Sequence, residues 1–219
     1  MSPGLVRSIP FGLYIGLMIL QPYLEPLLPG SVDGRWLYGL RVGVVLIALL
    51  VLWRYFQELK EAPEARVSDW LLGAGIGIVV FVLWIYLDFK PLAFAPGEGF
   101  NPSSENGLDV GLVIVRLAGA ALIVPVMEEF FWRSFLLRWI HHPSFLSVDA
   151  KGVGLKPLLA SSVLFATEHR LWFAGLLAGL AYAWLYKKTG NLWVPILAHA
   201  VTNGLLGAYV LKTGVWTFW

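Results

Sequence analysis

Long apolar runs recur along the whole chain and constrain its fold more than any other feature. A helix needs about 20 predominantly apolar residues to cross a bilayer, where each backbone polar group must be satisfied internally. The 219 residues are 58% hydrophobic and 14% charged, with a mean hydropathy of +0.72. A soluble domain usually carries about 25% charged residues. The sequence therefore predicts an all-α polytopic membrane helix bundle, and we expect residues 1–219 to form a single integral membrane domain.

Seven apolar segments are candidates for transmembrane helices, and splitting the fourth at Pro125 would give eight. Their approximate bounds are 9–28, 36–56, 70–89, 108–140, 157–169, 171–186 and 192–211. Pro22 and Pro26 predict a break in the first segment. The fourth segment would reach about 50 Å at 1.5 Å per residue, so it must tilt, kink at Pro125 or protrude. A polar loop from Lys90 to Asn106 separates the third segment from the fourth.

The charged residues and the cysteine count limit orientation, location and partners. Lys and Arg are about twice as frequent in the connections that lie on the same side of the membrane as the N-terminus. This excess predicts that the N-terminus is cytoplasmic. The small size and the lack of organelle-retention signals indicate a prokaryotic cytoplasmic membrane. A net charge of +2 gives no reason to expect nucleic-acid binding. The chain has no cysteine, which excludes disulfides, thiolate metal sites and a cysteine nucleophile.

Three polar clusters interrupt the apolar segments, in the order Glu128-Glu129-x-x-x-Arg133, then His169, then His199-x-x-x-Asn203. Ionisable groups inside a membrane are costly and usually face a cavity with a function. At 1.5 Å per residue all three clusters lie roughly 18 Å from the cytoplasmic face. We therefore expect them to meet in a hydrated intramembrane cavity.

The spacing of the first cluster assigns different roles to its two glutamates. Neighbouring residues on a helix point about 100° apart, so Glu128 and Glu129 cannot share one role. Arg133 follows Glu129 by four residues, the spacing of a helical ion pair. Glu128 is then left to face the cavity, where a carboxylate suits a general base. The alternative is that both glutamates form structural salt bridges within the bundle.

The two histidine clusters add a proton acceptor and hydrogen-bond donors. His169 ends a short apolar run and, alone, is more typical of a satisfied polar residue at a helix end; Glu168 and Arg170 beside it are interpreted as turn residues near water. His199 and Asn203 share one helical face, so they can direct two donors at a tetrahedral oxyanion. The alternative for this pair is a hydrogen bond between helices.

The ordered set of motifs resembles the CPBP family, which contains the type II CAAX prenyl endopeptidases and their bacterial relatives, also called Abi proteins. The resemblance spans about residues 108–211, and the first three apolar segments carry no usable signature. The matching residues are Glu128, Glu129, Arg133, Phe165, His169, His199 and Asn203.

The resemblance implies an intramembrane endopeptidase of the glutamic type. Glu128, helped by His169, would activate water, and His199 with Asn203 would stabilise the oxyanion. Glu129 and Arg133 would hold the site together. We expect no metal cofactor, with zinc as the alternative; in that case Glu128, His169 and His199 would be the ligands, because two histidines and one glutamate occur at catalytic zinc.

The expected partners are the bilayer and a peptide or protein substrate, lipidated or membrane-anchored. A catalytically silent scaffold or immunity protein of the same fold is the main alternative function. A proton-coupled transporter would often show paired repeats, and none is visible in the sequence. A haem protein with His169 and His199 as axial ligands is the remaining alternative.

Overall fold

The computed structural model describes residues 1–94, 99–105 and 107–219. Within these residues eight helices follow one another along the chain. They are α1 Pro3–Leu24, α2 Leu37–Leu52, α3 Gln57–Lys60, α4 Val67–Tyr86, α5 Val110–His141, α6 Leu155–Ala166, α7 Trp172–Thr189 and α8 Trp193–Thr213. A two-residue antiparallel ribbon, β1 Ser103–Ser104 and β2 Gly107–Leu108, precedes α5.

Five helical stretches in the described part of the chain are long and apolar enough to cross a membrane. They are Pro3–Leu27, Gly34–Tyr55, Val67–Tyr86, Val110–His141 and Trp193–Thr213. The fifth and sixth predicted segments are also helical but shorter: α6 has 12 residues and α7 has 18. Helices α6 and α7 form a hairpin, and the turn between them carries His169. The predicted all-α polytopic membrane bundle is confirmed.

Prolines change the helix boundaries less than the sequence suggested. Helix α1 begins at Pro3, capped by the Ser2 side chain, and continues through Pro10 and Pro22 to Leu24. The expected break at Pro22 is therefore wrong, and a 3₁₀ turn that contains Pro26 ends the helix instead. Proline is tolerated in membrane helices because local adjustments and neighbouring groups satisfy the freed carbonyls.

Helix α5 passes Pro125 without splitting because its winding changes just before that residue. A π-helical turn spans Gly119–Ile123, and a second π-helical stretch spans Phe130–Leu137. In the first turn the Val124 N–H donates to the Gly119 carbonyl, five residues earlier. The wider turn accommodates the proline ring, which would clash with a carbonyl in a regular α-helix.

Pairs of glycines allow the helices around the site to approach closely. Gly73 and Gly77 of α4 face α8, and a Cβ on Gly73 would lie 3.1 Å from the Val194 carbonyl oxygen. Gly179 of α7 faces Ser162 of α6 in the same way. This four-residue spacing of small residues is typical of close helix packing in membranes.

A short segment after α4 closes over the α6–α7 turn. Asp88 accepts two hydrogen bonds from Arg170, at 2.8 and 2.9 Å, and the Phe94 N–H donates to the Arg170 carbonyl at 2.8 Å. Residues 90–94 of this segment belong to the predicted polar loop 90–106, of which residues 95–98 and 106 are outside the described part of the chain. The turn that carries His169 is thus fixed from the α4 side.

Candidate active site

A cavity of about 420 Å³ lies between the helices and receives all four predicted catalytic side chains. Glu128 comes from α5, His169 from the α6–α7 turn, and His199 and Asn203 from α8. A volume of this size is in the range of ligand-binding cavities. The tertiary structure therefore brings together three clusters that are up to 75 residues apart in sequence.

His199 is held by the second glutamate of the pair. Its Nδ1 lies 3.0 Å from Glu129 Oε1, and the other Glu129 oxygen lies 3.1 Å from Arg133 Nε. Because a carboxylate accepts, His199 donates through Nδ1 and leaves Nε2 for the cavity. Arg133 also donates to the Gly179 carbonyl at 3.3 Å and lies 4.4 Å from the centre of the Phe165 ring. Glu129 thus joins the ion pair to the histidine.

Glu128 is buried at 8% exposure, yet it lacks the hydrogen bonds that normally accompany a buried carboxylate. Its Oε2 has no hydrogen-bond partner among the described residues, and His199 Nε2 lies 3.9 Å from it. An unsatisfied buried acceptor is expensive and calls for an explanation such as a catalytic role or a bound water. Glu129 Oε2 also lacks a hydrogen bond, but it lies 3.1 Å from Arg133 Nε, so Glu128 is the member of the pair that is free to act on a ligand.

His169 is oriented by the helix that it follows. Its Nδ1 lies 2.9 Å from the Phe165 carbonyl oxygen, which can only accept, so Nδ1 donates and a neutral ring carries its lone pair on Nε2. The ring packs edge-on against Trp84, with centroids 5.2 Å apart. The Phe-x-x-x-His spacing thus places the phenylalanine carbonyl where it fixes the histidine. His169 and Glu128 both line the cavity, and no hydrogen bond joins them directly.

Asn203 is tied to the π turn of α5. Its Nδ2 donates to the Ala120 carbonyl oxygen at 2.8 Å. If the i→i+5 hydrogen bonds of the π turn continued, the backbone N–H of residue 125 would donate to the Ala120 carbonyl. Residue 125 is a proline and has no N–H. The Asn203 amide replaces the missing donor, and its second N–H remains available to the cavity.

Three further residues belong to this site that the sequence reasoning did not assign to it. Glu168 lines the cavity and accepts a hydrogen bond from Trp132 Nε1 at 3.2 Å. Tyr182 stacks on His199 with centroids 5.0 Å apart, and its hydroxyl lies 2.7 Å from Thr202 Oγ1. Glu168 was interpreted as a turn residue, although its place beside His169 was a usable signal. Tyr182 and Thr202 carry no motif that could have indicated them.

The winding of α5 decides which of its side chains reach the cavity. Arg116, Ala120, Val124 and Glu128 line it at intervals of four residues. A regular α-helix turns about 100° per residue, so four-residue steps drift by about 40° each and the outer two would point about 120° apart. The π turn, with its wider i→i+5 repeat, removes much of that drift. The cavity wall on α5 therefore depends on the π turn.

The described residues contain no group of three or more His, Cys, Asp or Glu side chains with the arrangement of a metal site. In the alternative ligand set, Glu128 Oε2 and His199 Nε2 lie 3.9 Å apart, and the bond of His169 Nδ1 to the Phe165 carbonyl leaves its Nε2 as the nitrogen that could bind a metal.

The fold and the cavity together define a class, namely polytopic helical membrane proteins with a buried carboxylate–histidine site. Residues 110–205 match the family model described as "Type II CAAX prenyl endopeptidase Rce1-like". The resemblance to the CPBP family is thereby confirmed over that segment.

A curated relative matches over most of the chain. It is the Bacillus subtilis (strain 168) protein named "Putative membrane peptidase YdiL", 24% identical over 214 residues, covering 90% of this chain and 79% of that protein. No solved structure matches the chain. The family match and this relative support a membrane peptidase.

Proposed function

We propose that this protein is an intramembrane endopeptidase of the glutamic type, which hydrolyses a peptide bond of a membrane-anchored or lipidated substrate. The observation that carries the proposal is the unsatisfied Oε2 of Glu128, 3.9 Å from His199 Nε2, in a cavity shared with His169 and Asn203. A cytoplasmic N-terminus and a prokaryotic membrane belong to the same proposal.

Water activation falls to Glu128 and His169. A water between the two side chains can donate one proton to the Glu128 carboxylate while it also hydrogen-bonds His169 Nε2. The oxygen then attacks the carbonyl carbon of the peptide, the C–N bond breaks, and Glu128 returns its proton to the leaving amine. Such proton transfer contributes about 10²–10⁴-fold in rate.

Oxyanion stabilisation falls to the two residues on one face of α8. His199 donates from Nε2 when its ring is protonated, and Glu129 on the other ring nitrogen stabilises that charge. Asn203 donates the amide N–H that the Ala120 carbonyl does not use. Donors fixed by other bonds need no rearrangement when charge develops on the substrate oxygen.

The first experiment compares wild type with Glu128→Gln in detergent. Both proteins are assayed against quenched peptide libraries, prenylated and unmodified, with and without a strong chelator, and bound zinc is measured. We expect cleavage by wild type only, insensitive to chelator and without stoichiometric zinc. Glu61→Gln is a matched control, because it removes a carboxylate from the connection that follows α3.

Other results would redirect the proposal in distinct ways. Wild-type-like cleavage by Glu128→Gln removes Glu128 from the catalytic role. Loss of cleavage with chelator and its recovery with zinc makes Glu128, His169 and His199 candidates for metal ligands. The oxyanion roles are tested by His199→Ala and Asn203→Ala, which should lower kcat more than they raise KM. The reverse pattern assigns these residues to substrate binding.

A further inference from the structure

The connections between the helices form two groups at opposite ends of the bundle. The N-terminal face comprises the N-terminus and residues 53–66, 142–154 and 190–192, and the opposite face comprises residues 25–36, the described residues of 87–109, residues 167–171 and residues 214–219. Hydrogen bonds join the connections of the opposite face. The Arg35 side chain donates to the Ser103 carbonyl at 2.8 Å, and the Phe100 N–H donates to the Trp219 carbonyl at 3.0 Å.

The cavity extends from the site towards the opposite face. Glu128 on α5 and Tyr182 on α7 are the last residues of their helices to line it, and His199 is the first on α8, although all three helices continue towards the N-terminal face. In the other direction the lining follows α5 for twelve more residues, about 18 Å, to Arg116. The lining ends at connections of the opposite face, namely at Gly99, Arg170, Leu171 and residues 217–219.

Exposed residues in the lining mark the entrance to the cavity. Gly99 is exposed, and Glu168 in the α6–α7 turn is exposed as well, although both line the cavity. Both belong to the opposite face. Among the described residues that line the cavity, none belongs to a connection of the N-terminal face. Their exposure therefore indicates that water and a ligand enter from the opposite face.

The N-terminal face is closed by packed side chains beyond the site. Phe130 follows Glu128 by two residues on α5 and is fully buried against Phe56, with ring centroids 4.2 Å apart. The Trp193 Nε1 donates to the Leu59 carbonyl at 3.0 Å and so attaches the start of α8 to α3. Protein interiors are close-packed, so a peptide at this face could reach Glu128 only by disrupting that packing.

The distribution of lysine and arginine relates the two faces to the two sides of the membrane. Of the 16 Lys and Arg residues, nine lie at the N-terminal face and four at the opposite face. The nine are Arg7, Arg54, Lys60, Arg66, Arg138, Lys151, Lys156, Lys187 and Lys188, and the four are Arg35, Lys90, Arg170 and Lys212. Two of the four are neutralised, Arg35 by Asp33 and Arg170 by Asp88. Since cytoplasmic connections carry the excess of Lys and Arg, the N-terminal face is predicted to be cytoplasmic.

We propose that the active-site cavity opens on the extracytoplasmic side of the membrane, and that the substrate is a membrane-anchored polypeptide whose cleaved segment lies on that side. The direction of the opening follows from the cavity and the charges alone. The class of substrate rests on the proposed function, because it assumes that the cavity cleaves peptides. A segment that remains in the cytoplasm would meet the closed N-terminal face, so the polypeptide is cleaved after it has crossed the membrane.

The absence of cysteine from the chain allows the direction of the opening to be tested without an activity assay. Single cysteines replace Glu64 and Lys212, which are exposed at the N-terminal and opposite faces, and Glu168 and Leu206, which line the cavity. A membrane-impermeant maleimide is added to sealed right-side-out and inverted vesicles of the expressing cells. Detergent-solubilised samples give the full extent of reaction for each variant.

We expect Lys212→Cys and Glu168→Cys to react in right-side-out vesicles and to lose that reaction in inverted ones. Glu64→Cys should show the reverse pattern. Leu206→Cys repeats the test deeper in the cavity, should Glu168→Cys fail to fold. Reaction of Glu64→Cys in right-side-out vesicles, or of a cavity cysteine in inverted vesicles only, overturns the proposal.

The class of substrate is tested with a peptide confined to one side of the membrane. A cleaved member of the libraries above is coupled through a flexible linker to a dextran that cannot cross the bilayer, and is added to both kinds of vesicle. We expect wild type to cleave it in right-side-out vesicles only, and Glu128→Gln to cleave it in neither. Cleavage in inverted vesicles only, or in detergent but in neither kind of vesicle, overturns the extracytoplasmic substrate. If no peptide is cleaved even in detergent, the proposed function fails, whereas the cysteine reactions still decide the direction of the opening.

Discussion

Helix α5 contributes to two buried polar clusters that use similar residues in opposite ways. The cavity cluster consists of Glu128, Glu129, Arg133 and His199. The arginine cluster lies nearer the N-terminal end of α1 and consists of Arg7, Glu58, Ser134 and Arg138. Each combines carboxylate and arginine in a poorly solvated setting, but the carboxylates of the two clusters differ in how far their acceptors are satisfied.

In the arginine cluster the carboxylate is saturated. Glu58 Oε1 accepts from Arg7 Nε at 2.7 Å and from an Arg138 nitrogen at 2.8 Å, and Oε2 accepts from Arg7 at 2.6 Å. Ser134 also donates to Glu58. In the cavity cluster neither Glu128 Oε2 nor Glu129 Oε2 accepts a hydrogen bond from a described residue, although Glu129 Oε2 lies 3.1 Å from Arg133 Nε. Saturation indicates a structural role, whereas an unsatisfied carboxylate beside a cavity indicates chemistry.

The largest expected effect is on catalysis and comes from the unsatisfied carboxylate. Glu128→Gln should lower kcat by about 10²–10⁴-fold, because it removes the general base. Its melting temperature should stay equal to that of wild type or rise, since the change removes a buried charge without a hydrogen-bonded partner. A clear loss of thermal stability in this variant would indicate that Glu128, like Glu58, has a structural role.

The reciprocal substitution in the arginine cluster should affect stability instead. Glu58→Gln leaves Arg7 and Arg138 buried without a counter-charge, and breaking a buried ion pair costs about 3–5 kcal/mol. We expect a marked drop in melting temperature in detergent, with kcat of the remaining folded protein close to wild type. An unchanged melting temperature would show that the hydrogen bonds around Glu58 contribute little.

An intermediate effect is expected at Glu129, which connects the ion pair to the histidine. Glu129→Gln should lower stability, because Arg133 loses its partner, and should also lower kcat, because His199 loses the carboxylate that orients it. Arg133→Ala should mainly lower stability. Unfolding and turnover are measured on both variants. An equal kcat in Glu129→Gln and Arg133→Ala would contradict a separate role of Glu129 in orienting His199.

The smallest effect is the pH dependence of stability that Glu58 contributes. Burial raises the pKa of Glu58, but hydrogen bonds from Arg7 and Ser134 outweigh it and hold the pKa below the ordinary value of 4.5. On acidification the unfolded chain therefore binds the proton first, so the contribution of Glu58 is present above about pH 4.5 and is lost as pH falls through its folded pKa.

Melting curves recorded from pH 6 downward check this contribution. Wild type should lose more stability than Glu58→Gln over that range, because only wild type carries the titrating carboxylate. Parallel curves for the two proteins would contradict the assignment. Glu61→Gln provides the control, because it removes an exposed carboxylate three residues after Glu58.

The sequence indicated the helical membrane class and several of the residues that line the cavity through patterns that are local. Apolar length predicts spanning helices, and spacings of four residues place Arg133 beside Glu129 and His199 on one face with Asn203. These inferences succeed because a helix fixes the relation between residues one turn apart. The fold class and the family resemblance could therefore be predicted from the residues alone.

Other parts of the site depend on contacts that no local spacing reveals. The helical spacing predicted that Glu129 pairs with Arg133. The hydrogen bond between Glu129 and His199 could not be predicted in this way, because it forms only where α5 and α8 pack together. The role of Asn203 in replacing the hydrogen bond of Pro125 depends on a π turn, which the regular helix period does not predict. Glu168 and Tyr182 reach the site only through the α6–α7 hairpin.

By itself, then, the sequence determined that this chain forms membrane helices and which ionisable residues they carry inward, because hydropathy and helical spacing are properties of the chain. The tertiary structure decided which of those residues share a cavity and which are neutralised. Arg116 and Arg170 have the same side chain, but Asp88 pairs with Arg170, whereas Arg116 lies between aromatic rings on the cavity wall. That difference arises from packing between distant segments, because the charge state and availability of a buried group depend on its neighbours in space.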